Sequence, residues 1–346
     1  MKTPYQPDAR GPLNGLRVVD MTRLAAGNMM THMLADFGAE VIKVERPRLG
    51  DDLRRFGEAE SWWKVYARSK RSLSLDFKTK EGRDVLEKLI GTADILCENF
   101  VPGTLEKWGL GPQDLWTLND NLIVGFGGVL SAVIARQNGS AKGQVVDLSL
   151  FEPLFGILGP WAAQYEATGK VPRRMGNSSD VAAPRNLYPT KDGKHIAMSA
   201  SMQSMWEKLA HAMGQPELII DPRFATSLSR IENQADLDAI IAEVMATRTL
   251  EENLEYFESQ GVTVGPICDI ADLIDHPYIR GREVLQDFEA EGMERLPMHQ
   301  TFPRLSETPG AVRAPAPKLG QDNADILNEL GYDPAAQQAL IDKGVL

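Results

Sequence analysis

The chain has 346 residues, 43% of them apolar and 25% charged, and carries 48 acidic against 37 basic side chains for a net charge of −11. That length holds two domains and a sizeable core, and the acidic balance excludes a broad nucleic-acid-binding face while leaving room for a local basic site facing a phosphate-bearing small ligand. Cys97 and Cys268 lie too far apart in sequence to suggest a disulfide framework, no run is long and apolar enough to span a membrane, and MKTPYQPDARGP lacks the apolar centre of a signal peptide. These features describe a soluble cytoplasmic protein.

In chain order, LRVVDM (16–21) reads as a short buried strand. Met29, Met30, Met33, Leu34 and Phe37 then recur at helical spacing, with Gly38 where a C-cap glycine falls. EVIKVERP (40–47) is the next strand, stopped by Pro47, which completes a βαβ unit with a right-handed crossover. Its first turn is not G-x-G-x-x-G, so no dinucleotide site is read there. A helix with Val85, Leu86, Leu89 and Ile90 follows, then the strand ADILCENF, a helix around Leu105–Trp108, a strand Leu122–Val124 and a helix over 129–136. The alternation predicts an α/β fold with a doubly wound, largely parallel sheet. QVVDLSL is a further strand and leads into the apolar, Gly/Pro-punctuated stretch Phe151–Ala163.

From about Pro184 the character changes to a smaller α+β domain. NLYPTKDGKHIAMSA has a Lys-Asp-Gly turn between apolar runs, a hairpin signal. Helices are expected around 203–213, 235–246 and 250–260, a strand at VTVGPICDI, a short helix at ADLIDHPYIRGR and a second hairpin at FEAEGMERLP. RLSETPGAVRAPAPKLG is an extended connector to two closing helices. The expected domains are 1–183, completed by 304–346, and 184–303.

Residues 46–71 hold eight basic side chains against four acidic ones, together with Trp62, Trp63 and Tyr66. Cations with aromatic faces suit an adenine nucleotide bearing several phosphates, and a solvated loop would have the same composition. In CENFVPG (97–103), Asn99 can bond a ligand or satisfy the turn, and Phe100 can stack on a ligand or join the core. The histidines His32, His195, His211, His276 and His299 show no metal spacing, and no P-loop or G-x-S-x-G is present.

The ordered series GPLNGLRVVDMTRLAAG, LADFGAEVIKVERP, SKRSLSLDFKTKEGRDVLEKLI, ADILCENFVPGTLEKWGL, GQVVDLSL, MGNSSDVAAPRNLYPTKDGKHIAM and GVTVGPICDIADLIDHPYIRGRE runs through nearly the whole chain. It resembles the class III coenzyme A transferase family, which includes formyl-CoA and carnitine CoA-transferases and α-methylacyl-CoA racemase. The resemblance implies a Rossmann-like large domain, a small inserted domain and an interlocked homodimer. It implies an enzyme that moves CoA between an acyl-CoA thioester and a small carboxylic acid, with no prosthetic group; the alternatives are an acyl-CoA racemase or epimerase, or an inactive CoA-binding paralogue. Carried onto matching positions, Ala25 and Ala26 lie along the CoA, Arg46 and Lys70 approach its phosphates and adenosine, and Asn99 and Phe100 border it. Lys107 stands where an arginine is frequent and Trp108 where a smaller residue is.

One junction departs from the family. In NDNLIVGFGGVLSAVIARQ (119–137) only Gly125-Phe126-Gly127-Gly128 separates strand from helix. The resemblance places several dozen further residues there, among them the transferases' catalytic aspartate, so that aspartate is expected to be absent. Asp147 matches a different, structural family position.

Overall fold

The computed structural model describes residues 2–125, 128–179 and 181–346. The chain forms two compact units, one of residues 1–153 with 277–346, the other of 154–276. Six parallel strands make the sheet of the first unit: β1 (Arg17–Asp20), β2 (Glu40–Glu45), β3 (Arg71–Ser74), β4 (Ile95–Cys97), β5 (Ile123–Gly125) and β6 (Val145–Val146). Their order is β3-β2-β1-β4-β5-β6, the doubly wound arrangement expected from the sequence.

Side-chain alternation assigns the helices to the two faces. Val18, Val41, Ile95 and Ile123 pack with Leu34 and Ala35 of α1 (Leu24–Asp36) and with Ala132 and Val133 of a helix at Val129–Gln137. Val19, Ile42, Leu73 and Leu96 point the other way, onto Leu86 and Leu89 of the helix Lys80–Gly91, Leu115 of the helix Pro112–Leu118, and Ile326 and Leu340 of the two closing helices. Both faces are covered, so the strands read as continuous apolar runs.

Strand β3 escapes that signal because Ser72 and Ser74 alternate with its leucines; both serines are buried, and Ser72 Oγ donates to Glu45 at 2.7 Å. A short helix, α2 (Ser61–Tyr66), likewise lies inside the basic stretch, to which no element was assigned from sequence. At the departing junction, three residues separate the end of β5 at Gly125 from Val129, with Phe126 and Gly127 outside the described residues. Gly125 has φ of +142°, and a Cβ there would lie 2.0 Å from the Val146 carbonyl oxygen, so only glycine lets β6 close on β5.

The second unit carries the expected hairpin, Arg185–Pro189 with His195–Ser199, joined by a third strand at Val264–Pro266. The hairpin Leu285–Ala290 with Met293–His299 falls in the first unit. No helix among the described residues is long and apolar enough to cross a membrane.

Beneath α1, the fully buried Arg68 pairs with Asp36 at 2.7 Å, and its Nη2 lies 3.3 Å from His299 Nδ1. His32 is 2% exposed, its ring 5.3 Å from His299 and 5.4 Å from Tyr66. Burial first, then the charges of Arg68 and Lys70, depresses its pKa to about 2. An unfolded histidine titrates near 6.5, so the unfolded state binds the extra proton. Stability is therefore complete above that value and is lost as pH falls through it. His32 alone should remove about 2 kcal/mol at pH 5 relative to pH 8, and the depressed His299 acts with the same sign. Urea melts at the two pH values measure this; His32→Phe should flatten the dependence, and an equal dependence in that variant would refute it.

Candidate functional site

Strand order reverses between β1 and β4, and in open α/β sheets ligands bind in the crevice at such a switch point. Here the Asn99 amide bridges the two strand ends. Its Nδ2 donates to the Arg23 carbonyl at 2.9 Å, and its Oδ1 accepts from the Arg23 amide at 2.8 Å. The next residue, Leu24, opens α1 with φ of +61°, a left-handed conformation uncommon for leucine. Gly27 follows against Thr22, where a Cβ would come within 2.1 Å of the threonine side chain. Ala25 is half-buried and Ala26 exposed in the first helical turn, where the Arg23 side chain makes no cap and Asp51 takes the Leu24 amide. Backbone N–H groups at such a turn face outward and favour an anion.

Three arginines converge beside that turn on one carboxylate. Asp52 lies 2.7 Å from Arg23 and 3.0 Å from Arg46, and also pairs with Arg55. Burial opposes its ionisation slightly; the hydrogen bond from Arg23 and the charge of Arg46 outweigh it and hold its pKa below the usual carboxylate range. Three guanidinium charges against one carboxylate leave a local excess of two positive charges in an acidic protein. Arg55 also lines a cleft of about 920 Å³ together with Arg48, Trp63 and Lys64. Arg54 lines the same cleft, but its charge is already committed: it grips Glu45 through two bonds of 2.7 and 2.8 Å and lies over the Trp63 ring at 3.7 Å.

Lys70 faces inward. Only 4% exposed, its ammonium donates to Asp20 at 3.1 Å, Thr31 Oγ1 at 2.7 Å and Asn28 Oδ1 at 3.0 Å. Lys43 completes the buried set, 3.3 Å from Asp20 and 3.1 Å from Asp51, and donates to the Thr22 carbonyl. Burial would raise the Asp20 pKa, but the two lysines and the hydroxyls of Thr22 and Thr31 hold it well below the usual range. Burial lowers Lys43, and Asp20 with Asp51 more than restore it; Lys70 ends lowered, since burial and the neighbouring Lys43 outweigh Asp20. A lysine inside the apolar run Val41-Ile42-Lys43-Val44 was the available sign that β2 meets a buried counter-ion, because such a charge is not buried alone.

Phe100 packs edge-on to Trp108 at 5.1 Å, partly buried against the core, and Lys107 is exposed at the end of its short helix. Glu98, after β4, is raised by burial and by Glu106 and Asp147. Burial also raises the Cys97 thiol, which is thereby kept from thiolate chemistry. Among the described residues no group of three or more His, Cys, Asp or Glu side chains is placed to hold a metal ion.

Fold and site define a class: a doubly wound α/β chain with a cluster of three arginines at its switch point. The sequence profile of CoA-transferase family III matches residues 13–127 and again 124–323, and the chain belongs to that family. It is 34% identical to the succinyl-CoA–D-citramalate CoA-transferase of Chloroflexus aurantiacus, over 92% of this chain and 94% of that one. With the succinate–glutarate CoA-transferase of Agrobacterium fabrum it shares 28% identity over 94% and 97% of the two chains. The crystal structure of a CaiB/BaiF family protein from Brucella suis superposes with a TM-score of 0.79 at 30% identity, over 93% of this chain and all of that one. The Chloroflexus alignment occupies 377 positions, more than the 346 residues available. Because 92% of 346 is about 318, roughly sixty positions face no residue of this chain.

Proposed function

We propose that this chain binds the CoA portion of an acyl-CoA at the β1/β4 switch point, within the chemistry of CoA transfer between a thioester and a carboxylic acid. The observation that carries this reading is the convergence of Arg23, Arg46 and Arg55 beside the first turn of α1. In it, Arg46 and Arg55 take the phosphates, Ala25 and Ala26 offer backbone N–H groups, and Asn99, Phe100 and Lys107 border the ligand. Lys70 serves from beneath, as a counter-ion to Asp20.

The same reading places the family's acyl-accepting aspartate in a segment this chain lacks. Its support is the profile match in two pieces that meet at 124–127, at the three-residue passage from β5 to the next helix. An inactive CoA-binding relative is the form of the proposal this favours.

Calorimetric titration with CoA tests the site. Arg46→Ala with Arg55→Ala should weaken binding by about 2–3 kcal/mol, taking each exposed charge-assisted contact at the low end of its range. Equal affinity in a folded double variant would remove the assignment.

Self-association belongs to the proposal as well. Leu150 is 82% and Ile157 81% exposed in the apolar stretch after β6, more than an isolated surface would present. Light scattering at micromolar concentration should read a dimer mass; a compact monomer would contradict it.

A further inference from the structure

We propose that Asp51 is a positioning residue of the CoA site: its single carboxylate locks the start of α1 and the arginine-bearing turn 52–55 into one register, so both halves of the phosphate-binding surface are presented together. The inference rests on the CoA reading above. Asp51 is 5% exposed and gathers four donors from separate places in the chain. Oδ1 accepts from the Leu24 amide at 3.1 Å and from the Leu53 amide at 2.9 Å. Oδ2 accepts from Asn28 Nδ2 at 3.0 Å and lies 3.1 Å from Lys43 Nζ. The first bond holds the helix start, the second caps the turn that carries Asp52, Arg54 and Arg55, and the last ties both to β2.

The backbone conformation at the helix start adds a second observation. Leu24 sits at φ +61°, and a left-handed leucine persists only where its surroundings over-determine it. Asp51 holds its amide, and Asn28 Nδ2 donates to its carbonyl at 2.7 Å. Arg23, one residue earlier, is gripped at both its amide and its carbonyl by Asn99. Four consecutive backbone groups are thus clamped by three side chains, at the turn whose arginine joins the cluster. The clamp keeps the Ala25 and Ala26 amides and the Arg23 guanidinium aimed at the same place. Such pre-organisation removes an ordering penalty from binding.

The test compares wild type with Asp51→Ala, Asp51→Asn and Asn28→Ala, using CoA titration, thermal melts and hydrogen exchange. Asp51→Ala should weaken CoA at least tenfold while still melting cooperatively, and amides 23–26 and 53–56 should exchange faster together. Asp51→Asn keeps one acceptor oxygen and should recover most of the affinity, a rescue that loss of stability alone does not give. Should Asp51→Ala not fold, Asn28→Ala, which removes no charge, decides: a severalfold loss supports the inference and wild-type affinity overturns it. A folded Asp51→Ala with unchanged affinity, or with only one segment loosened, also overturns it. If the wild type itself binds no CoA, the CoA reading falls, while joint loosening of the two segments still upholds the clamp and its absence refutes it.

Discussion

Asp20→Ala is expected to leave the chain unfolded or about 3–5 kcal/mol less stable, the usual result of stranding a buried charge. Asp20 is fully buried, 3.3 Å from Lys43 and 3.1 Å from Lys70, and both ammoniums are buried with it. Without it, Lys43 keeps Asp51, but Lys70 keeps only the neutral oxygens of Asn28 and Thr31. Adding Lys70→Met should therefore restore much of the loss. Urea melts of the two single variants and the double variant measure the coupling, and a single-variant loss below about 1 kcal/mol would show the network to be slack. The pH sense is opposite in origin to that of a raised group. Asp20 is depressed in the folded state, so its contribution is complete above the ordinary carboxylate pKa and is lost only as pH falls beneath it. Acid sensitivity between pH 8 and 5 belongs to His32 and His299 instead.

Transfer of CoA from succinyl-CoA, the donor that the Chloroflexus citramalate CoA-transferase is named for, to a carboxylic acid is expected to be undetectable, or slower than in an intact relative by about a thousandfold or more. Covalent acyl transfer divides one difficult step into two easier ones, and that division needs a carboxylate at the thioester. Binding groups alone leave only residual catalysis. The passage from Gly125 to Val129 is too short to hold a further strand and helix, since such a crossover takes a dozen residues or more. A coupled assay with this chain and a full-length relative side by side decides the matter, and comparable turnover would reverse the reading.

The sheet was legible in the sequence wherever burial on both faces left a run of adjacent apolar residues, as at Val18-Val19 in β1, Val41-Ile42 in β2 and Ile95-Leu96 in β4. It was illegible at β3, where Ser72 is buried to serve Glu45 and to accept from the Gly320 amide, partners that no local pattern announces. The basic stretch shows the same limit more sharply. Composition treats Arg46, Arg54, Arg55, Arg68 and Lys70 alike, yet Arg46 and Arg55 lie half-exposed around Asp52 while Arg54, Arg68 and Lys70 answer Glu45, Asp36 and Asp20. Those carboxylates come from β2, α1 and β1, so only the folded chain sorts binding charge from structural charge. Asp51 was hidden for a related reason: beside Asp52 in a loop it reads as surface, and its four donors become visible only when α1 and β2 are brought together.

Mass spectrometry after incubation with succinyl-CoA, recorded under native and then denaturing conditions, tests the central claim most directly. The account predicts a chain that carries the thioester non-covalently in the native spectrum and returns to its bare mass when denatured. An acyl or CoA adduct on an aspartate or glutamate that survives denaturation, or a native spectrum with no complex at all, would contradict it.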